Sequence, residues 1–191
     1  MSATTMPVPI PAAPLMSAEE FLAHHGNEMG VELVKGRVVR YPMPGAKHGE
    51  VCVNAVLIFG QFIKSHGLGR AMSNDTFVRT NDEPATFRGA DVCYISYAKL
   101  PKDQETPAGA LLAPELVVEV KSPTDRIKTM SDKAYEYLDA GVAVVVLLFP
   151  ETRSAAVFRP DSLPQPVATD AELTLPDVLP GFAVPVRAFF E

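Results

Sequence analysis

The run Leu116-Val117-Val118-Glu119-Val120-Lys121 is apolar and strand-like, yet an acid and a lysine are set into it two residues apart. This run restricts the folds open to the chain more than any other segment. Side chains on a strand alternate between faces. Leu116, Val118 and Val120 therefore point into one core, while Val117, Glu119 and Lys121 point the other way and present a carboxylate beside an ammonium. Strands this rich in Val and Leu are covered on both faces, so charges within one need a partner or a ligand. Ser122-Pro123-Thr124-Asp125 stops the run. A helical segment from Asp132 to Ala140 follows, ended by Gly141, and then Val142 to Phe149 reads as a fully buried central strand. Strand, helix and strand in this order make a right-handed crossover. The fold class is α/β (α+β), a central mixed β-sheet flanked by helices.

The remaining segments fit around that unit. Ser17 and Glu20 form a capping box opening a short helix that ends near Gly26. Val31 to Val34 and Arg37 to Tyr41 read as a hairpin around Lys35-Gly36. His48 to Ser65 reads as a long helix, with Val51, Ala55, Ile58, Phe59 and Phe62 on one face, ended by Gly67 and Gly69. Arg70 to Thr80 and Ala90 to Ser96 are expected strands, and Pro101 to Ala113 a loop of the kind that covers a site. Ala155 to Arg159 reads as the hairpin neighbour of the central strand. The stretch 174–182 reads as an irregular, proline-rich tail, with Phe189-Phe190 docking on the core.

A chain of 191 residues with 47% hydrophobic content is expected to make one domain, residues 16–191. Residues 1–15, rich in Pro, Ala and Thr, are expected to be a flexible leader, since they lack the basic region and long apolar core of a signal peptide. Cys52 and Cys93 sit in apolar patterns without metal-ligand spacing and read as buried thiols in a reducing cytoplasm. The longest apolar run is too short to cross a bilayer.

Asp91, at the start of Asp91-Val92-Cys93-Tyr94-Ile95, offers a second carboxylate from a neighbouring strand. An acid followed by Glu-x-Lys is the order that metal-dependent nucleases use, although Glu-x-Lys alone also describes a solvated ion pair. The net charge of −6 opposes general nucleic-acid binding. A bound divalent cation would reverse that field locally. A small-molecule enzyme finds no support, because no Gly-rich phosphate loop, serine nucleophile elbow or Cys/His pair stands out.

The sequence resembles the Uma-two family of restriction-endonuclease-like proteins, within the PD-(D/E)XK nuclease superfamily. The resemblance covers nearly the whole chain after the leader. It is carried by Val31-Glu32-Leu33-Val34-Lys35-Gly36, by His48 opening the long helix, by Asp91-Val92, and by the run from Pro114 to Pro123. Lys133 through Tyr137, Ala140-Gly141-Val142 and Leu179-Pro180-Gly181-Phe182 complete it. It implies a restriction-endonuclease-like sheet whose cleft holds Asp91, Glu119 and Lys121 in the superfamily's metal and lysine positions, with Glu32 and His48 facing the same cleft. It also implies phosphodiester hydrolysis in nucleic acid, DNA in particular, by a cytoplasmic homodimer. Ala90 departs from the proline that precedes the aspartate in the superfamily motif. In the implied mechanism Asp91, Glu119 and the Val120 carbonyl hold Mg²⁺ or Mn²⁺, and Lys121 orients the attacking water.

Each residue also has a plainer reading. Glu32 could pair with Lys35 or Arg37, and His48 could be an ordinary residue of the helix's first turn. Lys133 and Tyr137 share a helix face and either line the cleft or serve as solvated and core residues. Asp125 fits the N-cap of the following helix. For the whole chain, the alternative function is a catalytically silent nuclease fold used for binding or oligomerisation.

Overall fold

The apolar runs around residues 116–120 and 144–149 lie side by side and parallel, with Leu116 against Val144 and Val120 against Leu148. In the computed structural model, which describes residues 14–191, they form the centre of the sheet. The expected leader thus lies outside the described residues apart from Pro14 and Leu15.

The first half of the chain runs α1 (Ala18–His25), β1 (Val31–Val34), β2 (Arg37–Arg40), α2 (Ala46–Ser65), β3 (Gly69–Asn81), β4 (Thr86–Ser96) and β5 (Leu111–Leu112). The second runs β6 (Leu116–Val120), α3 (Ile127–Asp139), β7 (Val144–Phe149), β8 (Ser154–Phe158), β9 (Gln165–Val167), β10 (Glu172–Leu175), β11 (Leu179–Pro185) and a 3₁₀ turn, Val186–Phe189. Nine strands form one sheet in the order β2-β1-β4-β6-β7-β8-β9, with β3 also paired to β4 and to β5. The pairs β6–β7 and β3–β5 are parallel; the others are antiparallel.

The alternation in β6 holds. Leu116, Val118 and Val120 enter a core shared with α2, β10 and β11, whereas Val117 enters a second core beneath α3. A third cluster packs Phe21 of α1 on Leu33, Phe77 and Phe87. The α1 capping box is present, with Ser17 Oγ accepting from Glu20 N–H and the Glu20 carboxylate accepting from Ser17 N–H. The β1–β2 turn places Lys35 at φ 51° and Gly36 at φ 71°, the left-handed pair that a two-residue hairpin loop requires.

Three expectations need correction. The stretch 174–182 is not irregular: β10 and β11 pair as a separate ribbon. Within β10, Leu173 and Leu175 are buried while Glu172 and Thr174 are exposed, so the period-two signal was present beside the prolines. The helix expected from Asp132 begins at Ile127, and Arg126 rather than Asp125 is its N-cap. Asp125 instead accepts from Ser122 N–H at 2.8 Å, closing the turn after β6. No helix among the described residues is long and apolar enough to cross a membrane.

The ribbon matters because it covers α2. Phe59 is fully buried, with its ring centroid 5.0 Å from that of Phe182 and 5.3 Å from that of Phe189. Asn54 Nδ2 donates to the carbonyls of Phe189 and Glu191. Phe59→Ala should therefore cost about 3–5 kcal/mol of stability, the range for an aromatic side chain cut from a packed core. Urea denaturation checks this, since an exposed position would show almost no change.

Candidate active site

The pairing of β4 with β6 stops at Val92 opposite Val118, and the site begins where it stops. One residue earlier on β4, Asp91 Oδ2 accepts from Val120 N–H at 2.7 Å, so a side chain takes the place of the next ladder partner. His48, in the first turn of α2, brings Nε2 to 3.4 Å from Asp91 Oδ2. Burial opposes a charge on that ring, but the Asp91 carboxylate and the Val120 backbone outweigh it and raise the imidazole's pKa.

Glu119 projects from the opposite side of β6, toward α3. Its Oε1 accepts from Tyr137 Oη at 2.8 Å and lies 2.9 Å from Lys133 Nζ. The same ammonium lies 3.0 Å from Glu32 Oε1 and donates to the Gly89 carbonyl at 2.9 Å. Glu32 also accepts from Gly89 N–H, and Arg88 bridges it to Glu136. The partners of Glu32 are thus Lys133 and Arg88, from α3 and β4, and not the nearby Lys35 or Arg37.

Asp91, Glu119, Glu32, His48 and Val120 all line one cleft of about 390 Å³. Lys121 does not. It follows the last residue of β6, and its ammonium, buried beside the strand end, contacts Glu151 at 2.9 Å and the Ser122 carbonyl at 3.1 Å. Two cleft residues stand out that the spacing of the sequence motif does not reveal. Lys133 is the ammonium that meets Glu119. Asp75 lines the cleft because β3 bulges between Ser73 and Thr76, with Asn74 and Asp75 at φ 68° and 55°. Asn and Asp tolerate the left-handed region, so the pair Asn74-Asp75 inside an expected strand was the available signal for a bulge.

Acids outnumber bases around the cleft. Its lining has Glu32, Asp75, Asp91, Glu119, Asp125, Asp132 and Glu136 against Arg88, Lys133 and His48. The crowding appears in the carboxyl groups themselves. Burial pushes Glu119 up to about 8; the Lys133 ammonium opposes this, and the Asp91 and Glu32 charges reinforce it. Burial likewise raises Asp75, helped by Asp91. Glu32 goes the other way: burial works against its charge, but Lys133 and Arg88 together hold it below the usual range. Lys133 is kept protonated by Glu119 and Glu32 in spite of its burial. Asp91, Glu119 and the Val120 carbonyl are hard oxygen donors in a site with surplus negative charge, a set that fits a small divalent cation such as Mg²⁺ or Mn²⁺.

A mixed sheet with a β6–α3–β7 crossover and an acidic cleft at the strand ends defines a restriction-endonuclease-like fold. Residues 18–187 match the Uma2 family, described as "Putative restriction endonuclease", and the chain belongs to that family. Among solved structures, a "putative nuclease belonging to DUF820" from Anabaena variabilis ATCC 29413 matches with a TM-score of 0.80. The match has 20% identity and covers 92% of this chain and 97% of that one, a likeness of fold. No curated protein matches the chain.

The raised carboxyl of Glu119 fixes the sign of a pH effect. A carboxyl whose folded-state pKa lies above its ordinary 4.5 stabilises the fold fully below that value. The contribution falls as pH rises, and the loss is complete once pH has passed about 8. Glu119→Gln should remove this slope, so the parent should lose thermal stability relative to the variant across that window. Parallel pH curves for parent and variant would show that Glu119 does not titrate there.

Proposed function

We propose that the cleft hydrolyses phosphodiester bonds of nucleic acid, DNA in particular, with Mg²⁺ or Mn²⁺ held by Asp91, Glu119 and the Val120 carbonyl. The observation that carries this reading is that Asp91 and Glu119, from neighbouring strands, line one cleft in which an ammonium, Lys133 Nζ, lies 2.9 Å from Glu119. Such a cation, when bound, supplies charge stabilisation at the phosphate and acidifies a coordinated water.

The chain's own residues supply fixed charge and proton handling. Lys133 directs its three N–H groups at Glu32, the Gly89 carbonyl and Glu119, so its ammonium is fixed in place and acts on the cleft through its charge. From there that charge offsets the negative charge building on the phosphate. His48, with Nε2 3.4 Å from Asp91 Oδ2, is the imidazole placed to give or take a proton beside that carboxylate. The sequence motif offers Lys121 for the lysine's role, but the geometry favours Lys133, because Lys121 is engaged with Glu151 at the strand end.

One observation favours the second reading, a silent binding module. Lys133, Arg88 and His48 are each already paired with a carboxylate, and the chain carries a net charge of −6. Cleavage of plasmid, single-stranded DNA and RNA at low salt with Mg²⁺ or Mn²⁺ decides between the two. Asp91→Ala should lose metal binding and cleavage together. Lys133→Met should lower the rate on the order of 10²–10³-fold while the fold persists by circular dichroism, and Lys121→Ala should keep most of it. The reverse ranking would return the role to Lys121. A parent protein that cleaves nothing with either metal is the binding module.

A further inference from the structure

Cys52 takes no part in the chemistry above, yet its half-buried thiol stands against His48, a residue of the cleft. It follows His48 by one helical turn on α2, and its Sγ lies 3.4 Å from His48 Nδ1. One ligand atom each from His48, Cys52 and Asp91 can be chosen so that all three lie within 4.8 Å of one another. Zinc bonds of about 2.0 Å to nitrogen and about 2.3 Å to sulfur place tetrahedral ligand atoms roughly 3.5 Å apart. The His48 Nδ1–Cys52 separation already matches, and because Asp91 faces the other ring nitrogen, a rotation of the imidazole that turns one nitrogen toward both partners closes the set.

We propose that His48, Cys52 and Asp91 form a second metal site, selective for thiophilic divalent cations such as Zn²⁺, which switches the cleft off by taking Asp91 away from Mg²⁺ or Mn²⁺. The selectivity follows from the donors. Imidazole and thiolate suit zinc and cobalt, whereas Mg²⁺ requires oxygen and gains nothing from sulfur. Coordination forms the Sγ–metal bond and breaks the Sγ–H bond, with the proton leaving to solvent. Without metal the group is a plain thiol, because burial and the Asp91 charge push it well up, so it is not a reactive thiolate. Asp91 cannot serve both ions in full, and occupancy of one site empties the other. The switch rests on the nuclease reading; metal binding by the triad does not.

Cobalt is the probe. Titration of the full chain with Co²⁺ should give the near-ultraviolet thiolate-to-cobalt charge-transfer band, discharged by one equivalent of Zn²⁺. Cys52→Ser and Cys52→Ala should each lose the band and bind Zn²⁺ on the order of a hundredfold more weakly. Both should keep the parent's affinity for Mn²⁺. Two substitutions guard against one failing to fold, which thermal melting reports. No band in the parent, or a band undiminished in a folded Cys52 variant, overturns the site. In the cleavage assay, Zn²⁺ should inhibit the Mn²⁺-supported parent and spare Cys52→Ser; equal inhibition of both overturns the switch. A band lost in the Cys52 variants from a parent that cleaves nothing upholds the site and sinks the nuclease reading alone.

Discussion

The Lys133 ammonium holds the cleft together. It meets acceptors on three strands at once: Glu32 of β1, the Gly89 carbonyl of β4 and Glu119 of β6. Two buried carboxylates this close would repel each other and neither would stay ionised in an apolar setting. With the ammonium between them, Glu32 keeps its charge, and α3 is fixed over one end of the sheet. Removing one partner of such a buried set costs about 3–5 kcal/mol, so the arrangement also specifies where the helix sits. Arg88 repeats the device one step further out, tying Glu32 to Glu136 of the same helix. The protection is unequal. Glu119 keeps more of the cost of burial than Glu32 does, and the site therefore retains a need for positive charge beside Asp91.

How far the sequence discloses this arrangement depends on whether a residue's role is set locally. The alternation of β6, the Ser17–Glu20 cap and the hairpin turn at Lys35-Gly36 are local properties, and each could be read from a few neighbouring residues. Asp91 and Glu119 were legible for the same reason, as acids set into apolar strands. Lys121 shows the limit of that logic. Faces alternate only while the chain remains a strand, and β6 ends at Val120, so Lys121 belongs to the turn that follows. Lys133 shows the opposite limit. On the sequence it is one polar residue of an amphipathic helix, and nothing within α3 tells whether it meets water or carboxylates from β1 and β6. Asp75 was hidden differently, because two left-handed residues inside β3 redirect a side chain that a regular strand would have aimed elsewhere.

The separate ribbon of β10 and β11 has a consequence for biosynthesis. Helix α2, which carries His48, buries Phe59 against Phe182 and Phe189. It is further bonded through Asn54 to the carbonyls of Phe189 and Glu191. These partners leave the ribosome long after α2 itself, and such distant contacts form late because a long loop must close first. While the chain is being made, α2 has an apolar face without its cover, and His48 has no rigid support from which to reach Asp91. The nascent chain thus carries an unfinished cleft, which is completed only when β11 and the 3₁₀ turn seat against the helix. Synthesis and assembly of the site are thereby separated in time by the order of the strands.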